Sequence, residues 1–156
     1  MSQGLKEHLK QNAPFESKAQ AAMLNLFVAS AFVRQQIEQT CNTRDISFNH
    51  YNVLRILRGA PEEGYSRSDI IDRMIDRGSD VTRLIDRMVK LGLVSRRKCK
   101  EDRRRSLHRI TDKGGDLLRE MAPDIHEIQE VFRSRVSERD LMHLSRICEG
   151  IYIGFE

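Results

Sequence analysis

The sequence predicts a mostly α protein with one small β-hairpin. Three observations predict it. Nearly every segment places apolar residues at three- and four-residue spacing, with no internal repeat or low-complexity tract. Two short amphipathic segments joined at a glycine fill residues 66–90, and two short extended runs follow them around a loop of Lys, Glu, Asp and Arg. That hairpin gathers eight basic residues (Arg96, Arg97, Lys98, Lys100, Arg103, Arg104, Arg105, Arg109) against two acids, Glu101 and Asp102, for a local charge of +6, while the 156-residue chain carries only +4. Clustered Lys and Arg displace the counterions condensed on phosphates, so the hairpin is suited to a polyanion.

Residues 14–39 predict a long first helix, with Phe15, Ala19, Ala22, Met23, Leu26, Phe27, Ser30, Val33 and Ile37 in helical spacing and Pro14 in its first turn. After a polar connector, Cys41 to Asp45, Ser47 is placed as an N-cap, and Ile46 can staple onto Tyr51. The second helix then runs to Gly59 with Val53, Leu54 and Leu57 as its buried stripe. Pro61 to Gly64 is a turn. Ser66 followed by Asp69 has the form of a capping box, Tyr65 can staple onto Ile70, and the third helix ends near Ile75.

Gly78 supplies the next turn and Ser79 the next cap. Val81, Leu84, Ile85 and Met88 form one apolar face of the fourth helix, opposite Asp80, Thr82, Arg83, Asp86, Arg87 and Lys90. Gly92 ends it, and Leu93 to Cys99 and Arg105 to Thr111 have extended character. Thr111 caps a fifth helix whose Leu118, Met121, Ile125, Ile128 and Phe132 make a seam; Pro123 inside it should kink or split it. Ser137 and Asp140 open the last helix, Val136 can staple onto Leu141, and Leu141, Leu144, Cys148, Ile151 and Phe155 repeat the seam. A seam of that length on so small a chain lacks enough remaining core to cover it, so self-association is its natural partner.

The composition excludes several classes. Three scattered cysteines, Cys41, Cys99 and Cys148, with no CxxC pair, read as buried inert thiols of a reducing cytoplasm rather than a disulfide framework or zinc finger. No apolar run is long enough to span a bilayer, and Met1 to Pro14 is polar rather than a secretion signal. No nucleophile motif, HExxH or phosphate-binding Gly loop occurs, so no enzyme is expected. His126 and Glu130 have i, i+4 ligand spacing, but without a second motif Asp124, His126, Glu127 and Glu130 read as a solvated face; neither metal nor cofactor is expected.

The order of elements over roughly 140 residues resembles the MarR-type winged-helix transcription regulators. The resemblance rests on Ser79 through Met88 as recognition helix, the Gly92-Leu93-Val94 after it, Asp102-Arg103-Arg104 in the wing, and Leu107 through Ile110-Thr111-Asp112-Lys113-Gly114 as its close. It implies a homodimer of winged helix-turn-helix subunits on double-stranded DNA, preferring an inverted repeat. Residues 1–45 would be a dimerisation helix and connector, 46–112 the DNA-binding domain, and 113–156 the C-terminal dimerisation helices. The function expected is a sequence-specific regulator, a repressor released by a small aromatic or anionic effector. The alternative is an architectural or protein-interaction module that binds DNA without sequence choice.

Candidate DNA-contacting residues follow. The Ser79 and Asp80 N–H groups and the Thr82 and Arg83 side chains lie at the reading end of the recognition helix, where Arg83 can donate two hydrogen bonds to a guanine edge. Arg87 and Lys90 lie further along, toward phosphates. Asp102 can orient Arg104 for the minor groove, with Arg103 and Arg105 on flanking phosphates. Ser66, Arg67 and Ser68 either bond to phosphate or merely cap their helix. His50 and Tyr51 line an effector pocket against the first helix or belong to the core.

Overall fold

The computed structural model describes residues 3–78, 80–99, 102 and 104–153. Its elements are α1 (Gln3–Leu9), α2 (Lys18–Asn42), α3 (Phe48–Arg58), β1 (Tyr65–Ser66), α4 (Arg67–Arg73), α5 (Val81–Lys90), β2 (Val94–Lys98), β3 (Ser106–Ile110), α6 (Asp112–Arg135) and α7 (Glu138–Tyr152).

Side-chain caps set most boundaries. Ser47 and Ser66 each complete a reciprocal capping box at α3 and α4, and the Thr111 and Ser137 hydroxyls accept from the Gly114 and Asp140 N–H groups. The long N-terminal helix starts later than its periodicity predicts. Ser17 accepts from the Gln20 N–H and opens α2 at Lys18, leaving Pro14 outside, because the Ser17 hydroxyl satisfies an orphan helix N–H and a proline ring cannot. The short α1 ahead of it, unmarked by the sequence pattern, is anchored by buried Leu5. Asp80 caps α5, accepting from the Arg83 N–H, in the role expected of Ser79, which lies outside the described residues.

Two further departures concern strand and proline. The wing is a three-stranded antiparallel sheet, order β1-β3-β2, rather than a hairpin alone. A two-residue strand is too short to show alternation, so β1 left no periodic signal. Helix α6 runs unbroken through Pro123. Leu118 and Met121 before the proline are buried and Ile125 after it is half-buried, and burial on both sides offsets the roughly 3 kcal/mol a helix-interior proline costs.

The core centres on the winged helix, where Val53, Leu54, Ile70, Ile85, Met88 and Val94 are fully buried, and is closed by Met121 and Leu118 of α6 and Cys41 of α2. Gly64 and Gly92 both take positive φ, +85° and +72°, closing the turns into β1 and β2. The flanking helices are different. Among the described residues α7 buries no side chain, and Leu144, Ile147 and Ile151 stand exposed, as do Phe27 and Phe32 on α2 and Val131 and Phe132 on α6.

Candidate nucleic-acid interface

Helix α5 is held by its apolar stripe. Val81, Ile85 and Met88 are buried, which turns Thr82, Arg83, Arg87 and Lys90 outward. The Arg83 side chain is 90% exposed and its Nε lies 3.2 Å from Asp80, so the guanidinium is tethered at the helix start yet open to a ligand. Arg67 and Ser68 on α4 are exposed beside this face, whereas Ser66 is buried. Its hydroxyl is engaged with Asp69 and Ser68 (2.9 Å), and its own backbone N–H also donates to Asp69 (2.9 Å). Ser66 is therefore a cap rather than a phosphate ligand, and the same hydroxyl bond holds the Asp69 carboxyl below the usual range.

The wing stands away from the core. Asp102, Arg104 and Arg105 are exposed, and Arg103 lies outside the described residues. Asp102 organises the tip through the backbone rather than through the Arg104 guanidinium. Its carboxylate accepts from the Arg104 N–H (2.9 Å) and its carbonyl from the Arg105 N–H (2.9 Å). The Cys99 N–H then donates to the Arg105 carbonyl at 2.9 Å, closing the hairpin. This is an Asx-type turn, which fixes the chain and leaves both arginine side chains outward.

No local sequence pattern signals how wing and recognition helix are joined. Across the sheet Tyr65, His108 and Arg96 form one row, since Tyr65 and Arg96 are both register partners of His108. His108 is 1% exposed; its Nδ1 sits 3.2 Å from the Tyr65 carbonyl, and its Nε2 accepts from Arg96 Nε at 3.3 Å. The Arg96 guanidinium then donates to Asp86 on α5. That bond holds the Asp86 carboxyl below its ordinary value. The ring must be neutral with its proton on Nδ1, because Nε2 serves as acceptor. Asp86 is thus spent on the wing rather than on a salt bridge within its own helix.

Burial is the largest influence on the His108 pKa and lowers it from 6.5; the Tyr65 hydrogen bond, next in size, raises it, the Arg96 and Arg67 charges lower it again, and Asp86 raises it least. Above 6.5 the ring is neutral both folded and unfolded. As pH falls below 6.5 the unfolded chain takes up a proton that the folded ring refuses, so stability is lost as pH descends toward the depressed folded value. We expect Tm to fall between about pH 7 and about pH 5, with part of the slope removed in His108→Gln. An identical slope in the variant would refute this account.

The expected effector residues part company. Tyr51 belongs to the core, and His50, also buried, lies beside α5 rather than facing a cavity against α2. The cleft that α2 does form is with α6, about 390 Å³, lined by Phe32, Val33, Ile128, Phe132 and Arg135 among others. The thiols match the inert reading in part. Cys41 and Cys99 are buried and Cys148 half-buried, and burial followed by the Glu38 charge pushes Cys41 up to about 11. His126 lies 4.0 Å from Glu130 on an exposed face, and no group of metal-ligating side chains occurs among the described residues.

A capped helix turned outward beside a three-stranded sheet with arginines at its tip defines a winged helix-turn-helix DNA-binding protein. The MarR family profile matches residues 44–105. A MarR transcription factor from Planctomyces limnophilus is 32% identical, with 87% of this chain and 98% of that one covered at a TM-score of 0.67. The chain therefore belongs to the MarR family of transcription regulators. The fold is also that of MepR from S. aureus in complex with DNA, at 19% identity, TM-score 0.75, and 83% and 95% coverage. It is shared as well by BpsR of Bordetella bronchiseptica, whose DNA binding is regulated by 6-hydroxynicotinic acid, at 21% identity, TM-score 0.69, and 81% and 94% coverage. No curated protein sequence matches the chain. Among the described residues no helix is long and apolar enough to cross a membrane.

Proposed function

We propose that this regulator is a repressor that binds an inverted-repeat operator as a homodimer and is released by a small aromatic or anionic effector. The observation that carries the reading is a division of surfaces. The outward faces of α5 and the wing are cationic and exposed, while α2, α6 and α7 leave large apolar side chains bare. Residues 46–112 then read DNA, and 1–45 with 113–156 hold the dimer. Two-fold pairing sets the recognition helices about 34 Å apart, one turn of B-DNA. Thr82 and Arg83 would meet base edges; Asp80, Arg87, Lys90, Arg67, Ser68 and Arg105 would position the backbone, and Arg104 the minor groove. Ser79 and Arg103 keep the same assignment by their place in the sequence. The α2–α6 cleft, with two phenylalanines beside Arg135, is the better effector site, because it touches both dimer-forming helices and so couples occupancy to the spacing of the two heads.

Selection of bound duplexes from a random pool tests the reading. We expect an inverted repeat with half-sites one helical turn apart. Arg83→Ala should lose roughly 1 to 3 kcal/mol at one base pair of each half-site and little elsewhere. Uniform weakening on all duplexes would instead favour a module that binds without choosing sequence.

A further inference from the structure

The turn between α4 and α5 aims the recognition helix, and it is held partly from outside the reading head. Met74 ends α4 and is buried, and the Ile75 N–H donates to Asn52 Oδ1 on α3 at 3.0 Å. Asp76 then uses both of its carboxylate oxygens. Oδ1 accepts from the Gly78 N–H at 3.2 Å, and Oδ2 accepts from Nη2 of Arg34, on α2, at 3.3 Å. One carboxylate thus ties the backbone that enters α5 to the long N-terminal helix.

Arg34 has a second partner. Its guanidinium carbon stands 4.9 Å from the centre of the ring of Phe48, the buried first residue of α3. One turn further along α2, Glu38 accepts from the Phe48 N–H at 2.9 Å. Arg34 and Glu38 therefore share a face of α2 that grips the reading head. Phe32, Gln36, Gln39 and Thr40 lie on the opposite face, where α2 borders the cleft with α6. The ion pair is half-exposed, with side chains 47% and 37% accessible, so it adds little to folding stability. Its effect is geometric. A planar guanidinium stacked on α3 and paired with the turn has a fixed direction, and so fixes the turn against α2.

We propose that Arg34 is a positioning residue for operator recognition: through Asp76 it locks the start of the recognition helix to α2 and so sets the half-site separation that the two heads of a dimer accept. The proposal rests on the homodimer and inverted-repeat reading above. Because Arg34 acts through the turn, it governs which separations are bound rather than how tightly a single half-site is held.

The test uses the full-length protein, Arg34→Gln, Asp76→Asn and the double variant; asparagine keeps an acceptor for the Gly78 N–H and removes only the charge. Without DNA, NMR order parameters of the Asp76, Arg77 and Gly78 amides should fall from about 0.85 toward about 0.6 in Arg34→Gln. With DNA, the probes are the selected inverted repeat, the same repeat with one base pair added or removed between its half-sites, and a single half-site. We expect the unaltered protein to bind the two altered spacings at least about tenfold more weakly, and either variant to narrow that gap to about threefold. Half-site affinity should stay within about twofold throughout, and the double variant should match the single ones. Unchanged order parameters in Arg34→Gln, an unchanged spacing preference, or an equal loss on the half-site each overturn the proposal alone. An unaltered protein indifferent to spacing overturns the inverted-repeat reading and this proposal with it.

Discussion

Replacing Gly114 with alanine should destabilise the protein by about 1 to 3 kcal/mol, while the same change at Gly115 should leave it as stable or slightly more so. The two glycines are neighbours in the first turn of α6, and both are helical. A Cβ on Gly114 would overlap the Leu93 carbonyl oxygen and come within 2.9 Å of Ile110 Cγ1 and 3.1 Å of Leu54 Cδ2. The first of these is backbone, fixed because the Thr111 N–H donates to it at 3.1 Å, and it cannot rotate away. Gly114 also gives its own N–H to the Thr111 hydroxyl, so the helix cannot shift outward without losing its cap. At Gly115 the nearest atom is the mobile end of Arg119 at 3.6 Å, an ordinary contact, and alanine gains helix propensity. For a chain of this size the Gly114 variant should lose roughly 2 to 4 °C of Tm per kcal/mol. Equal melting temperatures for the two variants would show that α6 does not seat against the wing as described.

Placing glutamate at Leu144 or Ile151 is expected to abolish dimerisation and with it tight operator binding. Both side chains are large, apolar and exposed on α7, a helix with no buried residue of its own among those described. In the proposed dimer they are covered, and an unpaired carboxylate taken from water into that seam costs several kcal/mol. The solution mass should fall from about twice 18.1 kDa to the chain mass. Each isolated subunit would keep its reading head but lose the second, intramolecular binding step, and operator affinity should drop at least about 100-fold. Because the core lies in the winged helix, thermal unfolding of that part should persist in the variants. A variant that remains dimeric would place the subunit interface elsewhere.

The legible part of this protein was the part written in local chemistry. Ser47, Ser66, Thr111 and Ser137 each stand where a helix begins, and the apolar stripe of α5 is visible in four residues, because caps and periodicity are decided within one or two turns of chain. The basic hairpin was visible as composition. Pro14 misled because it suits a first turn but cannot accept an N–H, and Ser17 can. Ser66 was ambiguous because a serine at a helix start serves a cap or a phosphate equally well, and only its burial decides.

By itself, then, the sequence determined the class, the order of the elements other than α1 and β1, and the outward cationic face, since spacing and capping act over a few residues. The tertiary structure alone decided that Tyr65, His108, Arg96 and Asp86 link wing to recognition helix and that His50 faces α5 instead of α2. Residues as far apart as 65 and 108 meet only through strand register, and a side chain's partner across a sheet or between two helices is set by packing that no local pattern encodes.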